Sequence, residues 1–110
     1  MNNKTKKNNM LRIKLMESTI QDYLNKKIDI GQLVNDLESL IYSIEETSDN
    51  FIDNLISLWG TLEVFYAWML DQNKTDITIE EKEQTKKVLI KINNLIKQYK
   101  KQYLSDMEAE

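Results

Sequence analysis

The sequence contains no cysteine, no histidine and no proline, and only two glycines in 110 residues. Without cysteine there is no disulfide framework and no thiolate to act as nucleophile or metal ligand. Without histidine the chain lacks the commonest general base, the usual zinc ligand and the switch that titrates near neutrality. The scarcity of glycine and proline excludes collagen-like and proline-rich classes. With Gly31 and Gly60 alone, neither a dinucleotide fingerprint nor a phosphate loop can be assembled. No apolar run approaches the roughly 20 residues that span a bilayer. The basic opening, Met1 to Asn9, is not followed by the apolar stretch of a secretion signal. Absence of cysteine is compatible with a reducing compartment, and a cytoplasmic location is expected.

What remains is 41% hydrophobic and 30% charged, enough apolar side chain for one core. Leu, Ile, Lys and Glu dominate, and their spacing is helical. Ile13, Met16, Ile20, Tyr23 and Leu24 recur at three- and four-residue steps and predict a first helix over 10–27. Asp29 with Gln32 reads as a capping box opening a second helix over 30–46, whose stripe is Ile30, Leu33, Val34, Leu37, Leu40, Ile41 and Ile44. A third helix over 49–72 carries Ile52, Leu55, Leu58, Trp59, Leu62, Phe65, Tyr66 and Met69 inward, with Thr47 or Ser48 as its cap. Thr78 and Glu81 form another capping box for a fourth helix over 79–104, buried through Val88, Leu89, Ile92, Leu95, Ile96, Tyr99 and Tyr103. Connections of a few residues make successive helices antiparallel neighbours. The expected fold is therefore all-α, an up-and-down bundle of four helices over 10–104. Residues 1–9 are expected to be a disordered basic arm, and 105–110 a loose acidic tail.

The net charge of −3 conceals strong segregation. Residues 1–27 carry seven basic and two acidic groups, a balance of +5. Residues 28–81 carry twelve acidic groups and only Lys74, a balance of −11. Residues 82–104 carry seven lysines and one glutamate, +6, and the tail adds −3. Two arrangements follow. The basic helices can lie along the acidic ones and neutralise them, or an acidic face can be left for a positively charged partner.

The second arrangement picks out particular residues. On a helical wheel centred on Leu37, the side chains of Glu38, Tyr42, Glu45, Glu46 and Asp49 fall away from the core, and the run continues to Asp53. A tyrosine among carboxylates combines contact area with field and hydrogen-bond acceptors. Trp68 lies nine residues from Trp59, half a turn out of phase. It is either an exposed interface anchor or packed beneath another helix. Gly60, inside the third helix, permits close approach of a neighbour, and internal packing is the preferred reading. The lysines of the fourth helix, Lys82, Lys86, Lys97, Lys100 and Lys101, share a broad face. That face has no arginine to read bases and no aromatic platform, which disfavours nucleic acid. The basic first helix lacks the Trp and Phe that seat a helix in a membrane surface. Carboxylates are the only acid–base groups in quantity and almost none falls on a buried stripe, so neither enzymatic activity nor a cofactor or metal is expected.

The stretch YLNKKIDIGQLVNDLESLIYSI, followed by DNLISLWGTLEVFYAWMLDQNKTDITIEEKE, resembles small all-helical immunity proteins of bacterial contact-dependent growth inhibition and related polymorphic toxin systems. The similar pieces are Lys-Lys-Ile-Asp-Ile, Leu-Glu-Ser-Leu-Ile, and Leu-Trp-Gly-Thr-Leu-Glu running into Tyr-Ala-Trp-Met-Leu-Asp, within residues 20–96. The resemblance implies a cytoplasmic protein that binds one cognate toxin domain, often a basic nuclease, and blocks it. In those terms Glu38, Glu45, Glu46, Asp49 and Asp53 engage basic side chains of the toxin, with Tyr42 and Trp68 as anchors, in a 1:1 complex. The alternatives are a self-associating adaptor whose acidic and basic faces pair between protomers as a weak homodimer, and a nucleic-acid accessory protein using the lysines of the last helix.

Overall fold

A computed structural model describes residues 3–45 and 49–108. Four helices follow one another: α1 (Asn3–Leu24), α2 (Ile30–Ser43), α3 (Asp49–Asp71) and α4 (Ile79–Glu108). Each packs on the next, and α4 closes the ring on α1; among the described residues the backbones of the diagonal pairs, α1 with α3 and α2 with α4, do not come close, and these pairs meet only in the core. The result is the all-α up-and-down bundle that the periodicity predicts, about 52 Å long and 21 × 20 Å across. Ile13, Met16 and Ile20 meet Leu33, Leu37 and Ile41, Leu55 and Leu62, and Leu89, Ile92 and Ile96 in one core from which water is excluded.

The helix ends show which local signals were decisive. At the start of α2, the Gln32 amide donates to Asp29 Oδ1 at 2.9 Å. At the start of α4 the capping box is reciprocal: the Glu81 amide donates to Thr78 Oγ1 (3.1 Å) and the Thr78 amide to Glu81 Oε1 (2.9 Å). Glu80 and Glu81 also sit where the helix dipole favours negative charge. The C-termini of α1 and α3 close alike. The Lys27 amide reaches Asp22 O while that of Lys26 reaches Tyr23 O, and Lys74 and Asn73 repeat the pattern on Met69 and Leu70. This double bond requires a left-handed residue, and Lys26 (φ 61°) and Asn73 (φ 55°) supply it. Asparagine tolerates that conformation; lysine does not advertise it, so α1 ends at Leu24 and not at residue 27, and Leu24 is exposed.

Three further boundaries differ from expectation. The helix begins at Asn3, not at residue 10, because Thr5 and Asn9 are buried and draw the basic segment onto the bundle. The last helix runs through Glu108, carrying 105–108 with it, and Gln102 Nε2 donates to Asp106 Oδ1 one turn on. The second stops at Ser43, since Ser43 Oγ donates to Leu40 O (2.7 Å) and Ile44 turns extended. The proposed caps Thr47 and Ser48 lie outside the described residues.

The two glycines play opposite parts. A Cβ on Gly31 would stand 2.9 Å from the Tyr66 ring, so glycine is what lets α3 approach the first turn of α2. A Cβ on Gly60 would meet nothing within 4 Å, so no internal neighbour explains it and the internal-packing reading is wrong. Chemical denaturation of the dilute protein should therefore separate two superficially identical substitutions. Gly60→Ala raises stability by about 1 kcal/mol through helix propensity, whereas Gly31→Ala lowers it by about 1–2 kcal/mol because the Tyr66 ring must move.

Candidate acidic interface on α2 and α3

The ring order decides how charge is distributed. The acidic helices α2 and α3 are neighbours, and so are the lysine-rich helices α4 and α1. Like charge lies beside like charge, and α2 stands diagonally opposite α4. Two ion pairs on the described surface tie the cations elsewhere. Lys100 pairs with Glu17 across the α4–α1 seam, and Lys82 Nζ with Asp76 Oδ2 at 2.7 Å beside the loop before α4. The partnership holds the Asp76 carboxyl below its ordinary range and Lys82 above its own, through their mutual hydrogen bond in each case. Among the described residues, no cation pairs with Glu38, Glu45, Asp53 or Glu63.

The predicted site residues fall into three groups. Glu38, Tyr42 and Glu45 are exposed on α2 and just beyond it. Tyr42 is 63% exposed, yet its ring is not free: it stands edge-on to Trp59 with centroids 6.5 Å apart and planes at 86°. That contact turns it toward α3, and it belongs to the α2–α3 seam rather than to the far side of α2. Trp59 is buried, with its Nε1–H donating to Val34 O at 2.8 Å, so the ring that supports Tyr42 is itself pinned to α2. Glu63, exposed one turn beyond Trp59, joins the same edge. Its position four residues from Trp59 was the available signal, and sequence reasoning missed it.

Asp53 and Trp68 form the second group, both exposed on the outer face of α3. Trp68, at 59% exposure, is not covered by another helix. It stands about 13 Å along the axis from Trp59 and half a turn around, so the structure does not bring it together with Tyr42. The third group is Glu46 and the side chain of Asp49, which lie outside the described residues.

A buried polar group fixes one end of this edge. Asn9 has no exposed surface, and its side chain embraces the backbone of Glu45: Nδ2 donates to Glu45 O, and the Glu45 amide donates to Asn9 Oδ1 at 3.0 Å. The amide thus takes both main-chain groups of Glu45 at the point where α2 stops offering partners. Where α2 was expected to continue to residue 46, this clasp instead holds the Glu45 backbone beyond the last turn at Ser43. Asn9 also hydrogen-bonds the Tyr99 hydroxyl. Tyr99 in turn stacks on Phe51 at 4.9 Å, linking α4 to α3. Burial pushes the Tyr99 hydroxyl above its ordinary value, while the Asn9 bond acts the other way.

At one end of the bundle a cleft of about 770 Å³ opens between the α1–α2 and α3–α4 connections, with Lys26, Lys27 and Lys86 around it and Asp76 holding Lys82. No group of three or more acidic side chains among the described residues is arranged to hold a metal ion. No helix among them is long and apolar enough to cross a membrane. The α2–α3 edge presents hydrogen-bond acceptors, negative charge and the edge of the Tyr42 ring held against Trp59.

Two outcomes test this account. Asn9→Ala leaves the Glu45 backbone groups unpaired and should cost about 1–3 kcal/mol in urea unfolding, although Asn9 sits in a segment whose composition suggests no structure. The raised Tyr99 value means that this group's contribution to stability is fully present below pH 10.0 and is lost as pH rises through the folded-state value, because the unfolded tyrosine ionises first; Tyr99→Phe should flatten that alkaline decline in thermal melts. Comparison with known proteins finds no matching family model, no matching curated protein and no matching solved structure.

Proposed function

We propose that this chain is a non-catalytic inhibitor of the immunity type, which binds a basic toxin domain and covers its active or substrate-binding cleft. One observation carries the reading: Glu38, Glu45 and Glu63 are exposed, unpaired with any described cation, and grouped around Tyr42 on the side of the bundle away from α4. A protein that merely neutralised itself would set its lysine-rich and acidic helices side by side throughout, and the α2–α3 pairing does not. The carboxylates take the place of nucleic-acid phosphates on the toxin, and the Tyr42 edge supplies contact area that is already ordered by Trp59. Location in the cytoplasm, where such a toxin acts, belongs to the same proposal.

The test uses the toxin-like domain encoded by the adjacent reading frame. Stopped-flow association should slow by about tenfold for Glu38→Lys combined with Glu45→Lys, with dissociation changed less, and wild-type association should fall steeply with salt. Tyr42→Ala should instead speed dissociation. Unchanged association and unchanged protection of cells by the charge-reversed variant would reject this placement of the interface.

A further inference from the structure

The cleft at the connection end of the bundle carries more positive charge than the fold uses. Lys26, Lys27, Lys82 and Lys86 line it, against Asp29 and Asp76. Both carboxylates are already committed. Asp29 Oδ1 accepts the Gln32 amide that opens α2. Asp76 Oδ1 accepts the Ile77 amide at 2.8 Å, while its Oδ2 holds Lys82 at 2.7 Å. Among the described residues no ion pair engages Lys26, Lys27 or Lys86.

Two of these positions are poor ones for a lysine. Lys26 is the left-handed residue that closes α1 (φ 61°), a conformation that glycine or asparagine adopts more easily. Asn73 meets the same demand at the end of α3. Lys86 lies two turns into α4, too far from either terminus to gain from the helix dipole. It also stands one turn from Lys82, so like charge is set beside like. The dipole of α1 draws Lys27 toward its last turn, but it gives no reason for Lys86.

Beside the lysines the wall is apolar. Tyr23 and Ile28 are half-buried in it, and Leu24 is left 40% exposed at its rim. The volume, about 770 Å³, suits a small molecule rather than a single ion. Every cation here is a lysine. An ammonium group meets a tetrahedral phosphoryl group as a point charge and lacks the planar fork with which arginine selects carboxylates. Three uncommitted lysines match the roughly three negative charges of a terminal diphosphate at neutral pH.

We infer that this cleft binds an organic diphosphate. Its phosphoryl groups lie among Lys26, Lys27 and Lys86, and its ring or chain lies against Tyr23 and Leu24. Lys82 stays with Asp76 and fixes the wall formed by the loop before α4. Binding relieves the repulsion among the lysines, and side chains do the holding that a glycine-rich loop would do elsewhere. Tyr42 lies about 18 Å along α2 from Ile30 at the cleft, so the inference does not rest on the proposed inhibitor activity.

Titration calorimetry of the full chain at low salt, without magnesium, tests it with ADP, inorganic pyrophosphate and adenosine as probes. ADP should bind one site with Kd of about 0.1 mM. Pyrophosphate should bind about tenfold more weakly, and adenosine not measurably. Lys26→Gly combined with Lys86→Gln should weaken ADP at least about tenfold. Urea unfolding should find that variant no less stable than the wild type, since glycine suits the turn and one like-charge contact is gone. Lys97→Gln with Lys101→Gln removes equal charge from exposed positions on α4 about 16 Å or more from Lys86, and should leave ADP affinity within about twofold. Equal loss in the two double variants would mean unspecific attraction to a basic surface and overturns the site. Heat no greater than dilution at about 5 mM ADP overturns it as well. Pyrophosphate binding as tightly as ADP overturns the part given to Tyr23 and Leu24. Association with a toxin is measured separately and is untouched by any of these results.

Discussion

Connections too short to cross the bundle govern everything else in this molecule. Each helix must run back along its predecessor, and four helices of this kind close a ring in sequence order. The charge blocks along the chain, basic then doubly acidic then basic, are consequently mapped onto the ring without mixing. The two acidic helices become neighbours, and so do the two basic ones. Apolar burial supplies the stability; the ion pairs that do form lie near the surface and are worth little individually. The electrostatic asymmetry is thus a by-product of topology, and among the described residues no cation pairs with Glu38, Glu45 or Glu63 near Tyr42.

Much of this was legible before any coordinates. Helix number, order and inward stripes follow from three- and four-residue spacing, and Asp29, Thr78 and Glu81 mark starts that the structure reproduces as hydrogen bonds. The misreadings have a common origin in side chains whose role depends on a distant partner. Asn9 looks like part of a solvated arm until Glu45, 36 residues away, presents two main-chain groups for it to bind. Lys26 adopts a left-handed conformation that its residue type does not announce. Gly60 reads as a packing glycine, which it is not within one chain, whereas Gly31 gave no hint that Tyr66 would lie against it.

The site was legible in composition and less so in geometry. Periodicity alone assigned Tyr42 to the outside of α2, and its exposure agrees. The contact that orients it, edge-on to Trp59, required knowing that Trp59 reaches across to Val34. The wheel also grouped Trp68 with Tyr42 as joint anchors, although half a turn of α3 separates their directions. The contact with Trp59 places Tyr42 at the α2–α3 seam, whereas Trp68 points away from it on the outer side of α3.

The segregation of charge around the ring has one more consequence. A bundle with lysines along one flank and carboxylates along the other carries a large electric dipole perpendicular to its long axis, so its formal charge of −3 and isoelectric point near 5.1 describe neither flank. At neutral pH such a molecule can adhere to a negatively charged chromatographic resin by one side and to a positively charged one by the other. In an external field it turns broadside before it drifts.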